Sequence, residues 1–328
     1  MPTCPAPVRS LDPAAAAELT TAAAKLLAEY GSATSPELLT ALPEACARLG
    51  DTVRQALRPV DTADGLFVLR GLHLDDTELG STPGHWSSVG DAGAVWDVVL
   101  LLVSTLMGTP IAWDGQQEGR FVHNIVPSPG HESEQTGASS GVLLTPHTED
   151  AFHPGRAHLL LLCCMRNHDC IATTAASIRR TALARADVEQ LQRPVVPILP
   201  DDAYEDAQQF AGHPAPVPTL FDTSEGLTMR FDPAYTPMHE ADTEWREAYR
   251  RLEHELARVS VAVSLEPGDV LVVDNDIVVH GRVPFTARYD GTDRWLKRAS
   301  VRVTGRPTRP ATEADEHGYG QAALLAFS

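Results

Sequence analysis

The chain has 328 residues, 43% of them apolar, 21% charged and 6% aromatic, which suffices for one large or two ordinary globular domains and excludes a disordered or fibrous protein. Only Lys25 and Lys297 are lysines among 26 basic residues, and 44 acidic residues bring the net charge to −18. That balance excludes nucleic acid and anionic membrane as main partners, because both select a basic surface.

The five cysteines, Cys4, Cys46, Cys163, Cys164 and Cys170, are odd in number and form no C-x-x-C pair, as in a reduced intracellular protein. The N-terminus lacks the charged-then-apolar layout of a signal peptide. The longest apolar runs, 98–103 and 159–165, fall far short of a membrane span. A cytoplasmic location is expected.

Helices come first along the chain. Asp12-Pro13 is an N-cap followed by proline at the first helical position, and Gly31 is the stop. Ser35-Pro36-Glu37 repeats the start signal, with Gly50 as its stop. The run 66–70 reads as the first strand, and 91–107 as a helix ended by Gly108. From about residue 111 the pattern changes to short apolar runs at 120–126, 158–165, 227–231, 270–274 and 299–303, broken by Gly, Pro, Asp and Asn. Such runs predict a β-sandwich or barrel rather than βαβ units, interrupted by one helix over 240–261. Glu266-Pro267-Gly268-Asp269 is the turn that launches the strand at 270. The stretch 200–218, rich in proline, acids and amides, reads as a surface loop or a lid over a site. No linker divides the chain, so one domain is expected.

The chemistry gathers at two histidines. In Pro146-His147-Thr148-Glu149, the His and the carboxylate stand two apart, so an extended strand points both to one side. His280, in Val279-His280-Gly281-Arg282, ends another strand-like run. Two His and one carboxylate on one face of an iron, with three positions left open, is the arrangement of the non-haem Fe(II) oxygenases. Arg294 and Arg298 follow His280, and the guanidinium fork suits bidentate grip of a carboxylate. His73, His85, His131, His213, His239, His254 and His317 show no partner pattern.

The blocks His147–Arg156, Leu161–Asn167, Ala172-Thr173-Thr174, Val273-Asp274-Asn275, His280-Gly281-Arg282 and Arg288–Arg298 resemble the clavaminate synthase-like Fe(II)/2-oxoglutarate oxygenases. Within that family the chain is most similar to the free L-arginine and L-asparagine hydroxylases of peptide-antibiotic pathways, from about Leu66 to Arg302, including Leu79–Pro83, His85-Trp86 and Gln116–Arg120.

The resemblance implies a mainly β fold with helical flanks: a helical N-terminal flank over about 10–60, a double-stranded β-helix (jelly-roll, cupin-like) core over about 66–305 and a lid over about 200–218. It implies His147, Glu149 and His280 as ligands of Fe(II), Arg294 with Thr173 on the distal carboxylate of 2-oxoglutarate, and O2 as co-substrate. It also implies Arg298 on the α-carboxylate of the amino-acid substrate, Gln116 on its α-amine with help from Glu149, and Asp232 on the polar end of its side chain.

An acid at 232 suits a cation or a carboxamide. The related arginine hydroxylases carry a second acid two positions later, where this chain has Ala234, and small polar residues where it has Gly137 and Ala138. Lysine, ornithine, citrulline, glutamine or a modified arginine therefore stand beside arginine as substrates, oxidised at the β- or γ-carbon with release of succinate and CO2. Glu149 excludes halogenation, since the related halogenases lack that carboxylate. Desaturation, a carrier-tethered substrate, a Zn(II) hydrolase and a non-catalytic cupin-like binder of small acids remain as alternatives.

Overall fold

The computed structural model describes residues 6–59, 63–91, 93–201, 215–306 and 323–327. Its helices begin where the capping signals stand. Helix α1 (Pro13–Tyr30) starts on Asp12, whose carboxylate accepts the Ala14 amide at 2.8 Å, and stops at Gly31 with φ +76°. Helix α2 (Pro36–Arg48) starts on Ser35, whose hydroxyl accepts the Leu38 amide at 3.2 Å. Each cap contributes about 1 kcal/mol. Gly50, the expected stop, is instead a junction: α2 ends at Arg48 and Gly50 leads into α3 (Asp51–Ala56).

Helix α4 (Ala94–Met107) is buried on all sides from Val98 to Val103, because α1 and α2 pack on it from one direction and the main sheet from the other. Its continuous apolar run follows from that double cover. A short α5 (Arg185–Leu191) packs on α6 (Thr243–Val259), which falls inside the expected 240–261. Asp242 caps α6 by accepting the Trp245 amide at 2.9 Å, and Trp245, Ala248, Tyr249, Leu252 and Leu256 form its buried stripe.

The strands are β1 (Val8–Ser10), β2 (Leu66–Arg70), β3 (Thr109–Trp113), β4 (Val122–Ile125), β5 (Leu144–His147), β6 (Leu159–Arg166) and β7 (Thr173–Ser177). They continue as β8 (Leu220–Thr223), β9 (Gly226–Met229), β10 (Val261–Val263), β11 (Val270–Asp274), β12 (Val278–Arg282), β13 (Trp295–Arg302) and β14 (Ala323–Leu325). The main sheet runs β1-β2-β11-β6-β13-β3-β14, with β4 also paired to β13. A second sheet runs β10-β7-β12-β5, and β8 and β9 form a hairpin.

Strand β6 shows how the layers form. Leu159, Leu161, Cys163 and Met165 face the core shared with α1, α2 and α4, whereas Leu160, Leu162 and Cys164 face the core shared with β7, β12 and α6. The main sheet is therefore buried on both faces, between helices and the second sheet, which agrees with a jelly-roll core. Of the expected lid, residues 202–214 lie outside the described residues. Its C-terminal end is paired with the body: the Val217 amide donates to the Val196 carbonyl at 3.0 Å.

The same alternation sorts the charges of β13. Arg298 and Leu296 face the space between the sheets, and Lys297 faces α4, where its fully buried ammonium meets Asp97 and donates to Asn124 Oδ1 at 3.0 Å. Removing one partner of a buried ion pair leaves the other charge uncompensated. Lys297→Met is expected to cost about 3–5 kcal/mol in a urea unfolding experiment. Loss of less than about 1 kcal/mol would show that the pair is not a keystone of this layer.

Candidate functional site

The two histidines singled out from the sequence face each other across a strand pair. β12 runs antiparallel to β5 with His280 opposite His147, and the ring centroids are 4.5 Å apart. Gly281 permits this approach, because a Cβ there would stand 2.4 Å from the Leu144 carbonyl oxygen. Glu149, two residues beyond His147, turns its Oε2 to within 3.7 Å of His147 Nε2 and 3.4 Å of His280 Nε2. The ligand atoms of the three residues all lie within 4.8 Å of one another.

The donor set suits a divalent metal. His147 Nδ1 lies 2.8 Å from the Thr145 carbonyl, so it carries the proton and leaves Nε2 for coordination. Burial pulls the His147 imidazole down, yet the Glu149 hydrogen bond and the charges of Asp232 and Glu149 lift it to about 9. Burial and the charge of His147 push His280 down to about 3. Burial pushes the Glu149 carboxyl up, but Arg298 first, then His147 and His280, hold it well below the ordinary carboxylate range.

The backbone of Glu149 is held by Asn275, which is fully buried. Asn275 Oδ1 accepts the Glu149 amide at 2.8 Å, and its Nδ2 donates to the carbonyls of Glu149 at 3.0 Å and Ala157 at 3.1 Å. Asn275→Leu takes these hydrogen bonds from buried peptide groups, and is expected to weaken Fe(II) affinity about 10–100-fold in a competition titration. An unchanged affinity would show that the carboxylate is held without this bracket.

Beside the three ligands lies a cavity of about 70 Å³, lined also by Thr173, Arg282, Arg294, Arg298 and Asp201. Arg294, just before β13, donates to Thr173 Oγ1 at 2.8 Å, while its buried Nε has no hydrogen-bond partner among the described residues. Burial brings both Arg294 and Arg282 down to about 10, and no carboxylate pairs with either among the described residues. Arg282 donates to the carbonyls of Ser139, Val142 and Val283 and to Ser139 Oγ, so it adds charge, whereas the orphaned Nε of Arg294 fits an anionic group such as the distal carboxylate of 2-oxoglutarate.

Arg298, four residues on, occupies the other side of the cavity. Its Nη1 pairs with Glu149 Oε1, and its Nη2 donates to Gln116 Oε1 at 3.1 Å and His123 Nδ1 at 2.8 Å. Asp232 is 8% exposed, receives the amides of Ala234 at 3.1 Å and Tyr235 at 3.4 Å on Oδ1, and interacts with the charge of His147. Burial, opposed by His147, pushes Asp232 up to about 6.

Of the residues singled out from the sequence, His147, Glu149, Thr173, His280, Arg294 and Arg298 line one cavity, Gln116 lines the neighbouring one and reaches the first through Arg298, and Asp232 lines neither but interacts electrostatically with His147. Sequence reasoning missed His123, the bracket by Asn275, the cavity-facing role of Arg282 and Asp201 at the wall. His123 was legible only as a polar residue alternating with Val122 inside a strand. Its position opposite Arg298 depends on the β4–β13 register.

Residues 39–300 match the model of the taurine catabolism dioxygenase TauD, TfdA family. The chain is 37% identical over 285 residues to an enduracididine beta-hydroxylase of Streptomyces hygroscopicus, covering 79% of this chain and 83% of that protein. It is 36% identical over 265 residues to an L-asparagine oxygenase of Streptomyces coelicolor, covering 79% and 77%. The structure of the non-haem iron oxygenase OrfP with Fe, succinate and (3S)-hydroxy-L-Arg superposes with a TM-score of 0.80 at 37% identity, over 90% of this chain and 94% of that one. The resemblance read from the motifs and the jelly-roll expectation are both borne out. The His-Glu-His cluster, the matched span and these likenesses identify the chain as a member of the TauD/TfdA family of dioxygenases.

Proposed function

We propose that this chain is an Fe(II)/2-oxoglutarate-dependent hydroxylase of a free L-amino acid with a basic or carboxamide side chain. The observation that carries this reading is the pair Arg294, just before β13, and Arg298, within it, lining a single cavity beside the His147–Glu149–His280 cluster. One guanidinium for each of two carboxylic acids is what a keto diacid and an amino acid require together. Iron, 2-oxoglutarate and O2 supply the oxidising chemistry when bound, converting the keto acid to succinate and CO2 as one oxygen atom enters a C–H bond.

The protein supplies position. His147 Nε2, His280 Nε2 and Glu149 Oε2, which lie close together, would hold the metal. Arg294 and Thr173 hold the far end of 2-oxoglutarate, with Arg282 adding positive charge. Arg298 takes the α-carboxylate of the amino acid, and Gln116, assisted by Glu149, takes its α-amine. Asp232, with Asp201 on the cavity wall, faces the donor-rich end of the side chain, so the β- or γ-carbon between the anchors is turned to the metal. The buried free thiols Cys46, Cys163 and Cys164 support a cytoplasmic location, and no helix among the described residues is long and apolar enough to cross a membrane. The acidic balance supports small-molecule partners rather than nucleic acid.

Succinate formation with L-arginine, L-ornithine, L-lysine, L-citrulline, L-glutamine and L-asparagine tests the substrate class, with L-glutamate and L-aspartate as controls. Stimulation by a basic or carboxamide amino acid and none by the acids is expected. Stimulation by the acids would overturn the role given to Asp232.

A further inference from the structure

His123 stands opposite Arg298 in the β4–β13 register and is 6% exposed. Arginine only donates hydrogen bonds, so the 2.8 Å contact from Arg298 Nη2 requires a lone pair on His123 Nδ1 and places the ring proton on Nε2. The Arg120 backbone is the second hydrogen-bond partner of the imidazole. Burial, with the charge of Arg298, pushes His123 down to about 3, which keeps the ring neutral.

The same Nη2 also reaches Gln116 Oε1 at 3.1 Å, and Nη1 reaches Glu149. Arg298 is thus gripped on one edge by an imidazole and an amide, and on the other by the carboxylate of the metal cluster. It forms the wall between the 70 Å³ cavity and a neighbouring one of about 190 Å³, which His123 and Gln116 line. A long side chain at such a boundary needs a fixed acceptor behind it, or each binding event must first order its rotamers.

We propose that His123 is a positioning residue for substrate: its Nδ1 accepts from Nη2 and, opposite the Glu149 contact at Nη1, fixes the plane in which the Arg298 guanidinium meets the substrate. Gln116 shares that task through Oε1. The inference rests on the reading of Arg298 as the α-carboxylate anchor. Lysine or arginine at 123 would repel the cation, and an apolar residue would take one acceptor away from Nη2.

The test compares His123→Leu, His123→Asn and Arg298→Lys with the natural enzyme, loaded with Fe(II), using whichever of L-arginine, L-ornithine, L-lysine and L-asparagine gives most succinate. His123→Leu is expected to raise KM for the amino acid about tenfold, the effect of one hydrogen bond to a charged group, with kcat and KM for 2-oxoglutarate within about twofold. His123→Asn, whose Oδ1 replaces Nδ1, is expected to recover most of the loss. The inference is overturned if His123→Leu leaves KM unchanged while Arg298→Lys raises it, if His123→Asn is no better than His123→Leu, or if both KM values, kcat and Tm all shift together. An unchanged KM in Arg298→Lys overturns the anchor reading and this inference with it.

A substrate-independent check is the 15N spectrum of the imidazoles in the full chain, with His123 assigned by its loss in His123→Asn. A neutral ring protonated at Nε2 near neutral pH is expected. A ring protonated at Nδ1 or a cationic ring would contradict the proposal.

Discussion

Glu149→Ala is expected to lower Fe(II) affinity and succinate formation by more than about 100-fold, beyond the range of changes in groups that only support a ligand. The carboxylate serves two neighbours. Its Oε2 completes the cluster with His147 and His280, and its Oε1 pairs with Arg298, so one truncation would take away both the proposed metal ligand and the carboxylate of a buried guanidinium. Glu149→Gln separates these effects: an amide oxygen can still accept from Arg298, but it is a poorer ligand for a hard divalent metal. The expected order of Fe(II) affinity is therefore natural enzyme, then Glu149→Gln, then Glu149→Ala. Equal affinities in all three, measured by anaerobic titration, would remove Glu149 from the metal site.

Arg294→Leu is expected to raise the half-saturating concentration of 2-oxoglutarate about 30-fold or more, the equivalent of at least ~2 kcal/mol for a buried charged pair. Stability should move the other way or not at all. Arg294 is a buried cation with no carboxylate partner among the described residues, and its Nε is unbonded there, so an apolar side chain relieves a desolvation cost in the ligand-free protein. The pairing of weaker 2-oxoglutarate binding with an undiminished Tm distinguishes a group held in readiness for a ligand from a structural ion pair. A Tm falling several degrees with unchanged 2-oxoglutarate affinity would mark Arg294 as structural. Arg294→Lys is expected to fall nearer Leu than Arg, because an ammonium cannot reproduce the planar fork.

What could be read from the sequence tracks how local the determining forces are. The caps at Asp12 and Ser35 act within a few residues, and both helices start there. The spacing of His147 and Glu149, read as two side chains on one side of an extended segment, brings both to the metal cluster, although strand β5 itself ends at His147 and Glu149 follows it. Asp150, with φ +52°, begins the turn beyond.

Strands lacking local preference were invisible. β7 is Thr-Thr-Ala-Ala-Ser and β3 contains Pro110, so neither announces itself by β-branched alternation; both exist because they pair with β10 and β12, or with β13 and β14. The strand expected at 299–303 begins at Trp295, since Arg298 and Lys297 look like loop residues until the space between sheets and the buried Asp97 are known. The same nonlocality hid His123 and the bracket by Asn275. One depends on strand register, and the other on a side chain reaching a peptide group 126 positions away. The resemblance to a known family pointed to residues that the fold does bring together, His147, Glu149 and His280 beside Arg294 and Arg298, and gave no role to His123 and Asn275, which hold Arg298 and Glu149.

The measurement that tests the central claim most directly is turnover under 18O2 with Fe(II), 2-oxoglutarate and the panel of basic and carboxamide amino acids, followed by mass spectrometry of amino acid and succinate. The account predicts that one amino acid gains a single oxygen atom derived from O2, with succinate formed in equal amount. Loss of two hydrogens without oxygen gain, or succinate formed at the same rate with and without every amino acid tested, would contradict the assignment as a hydroxylase of free amino acids.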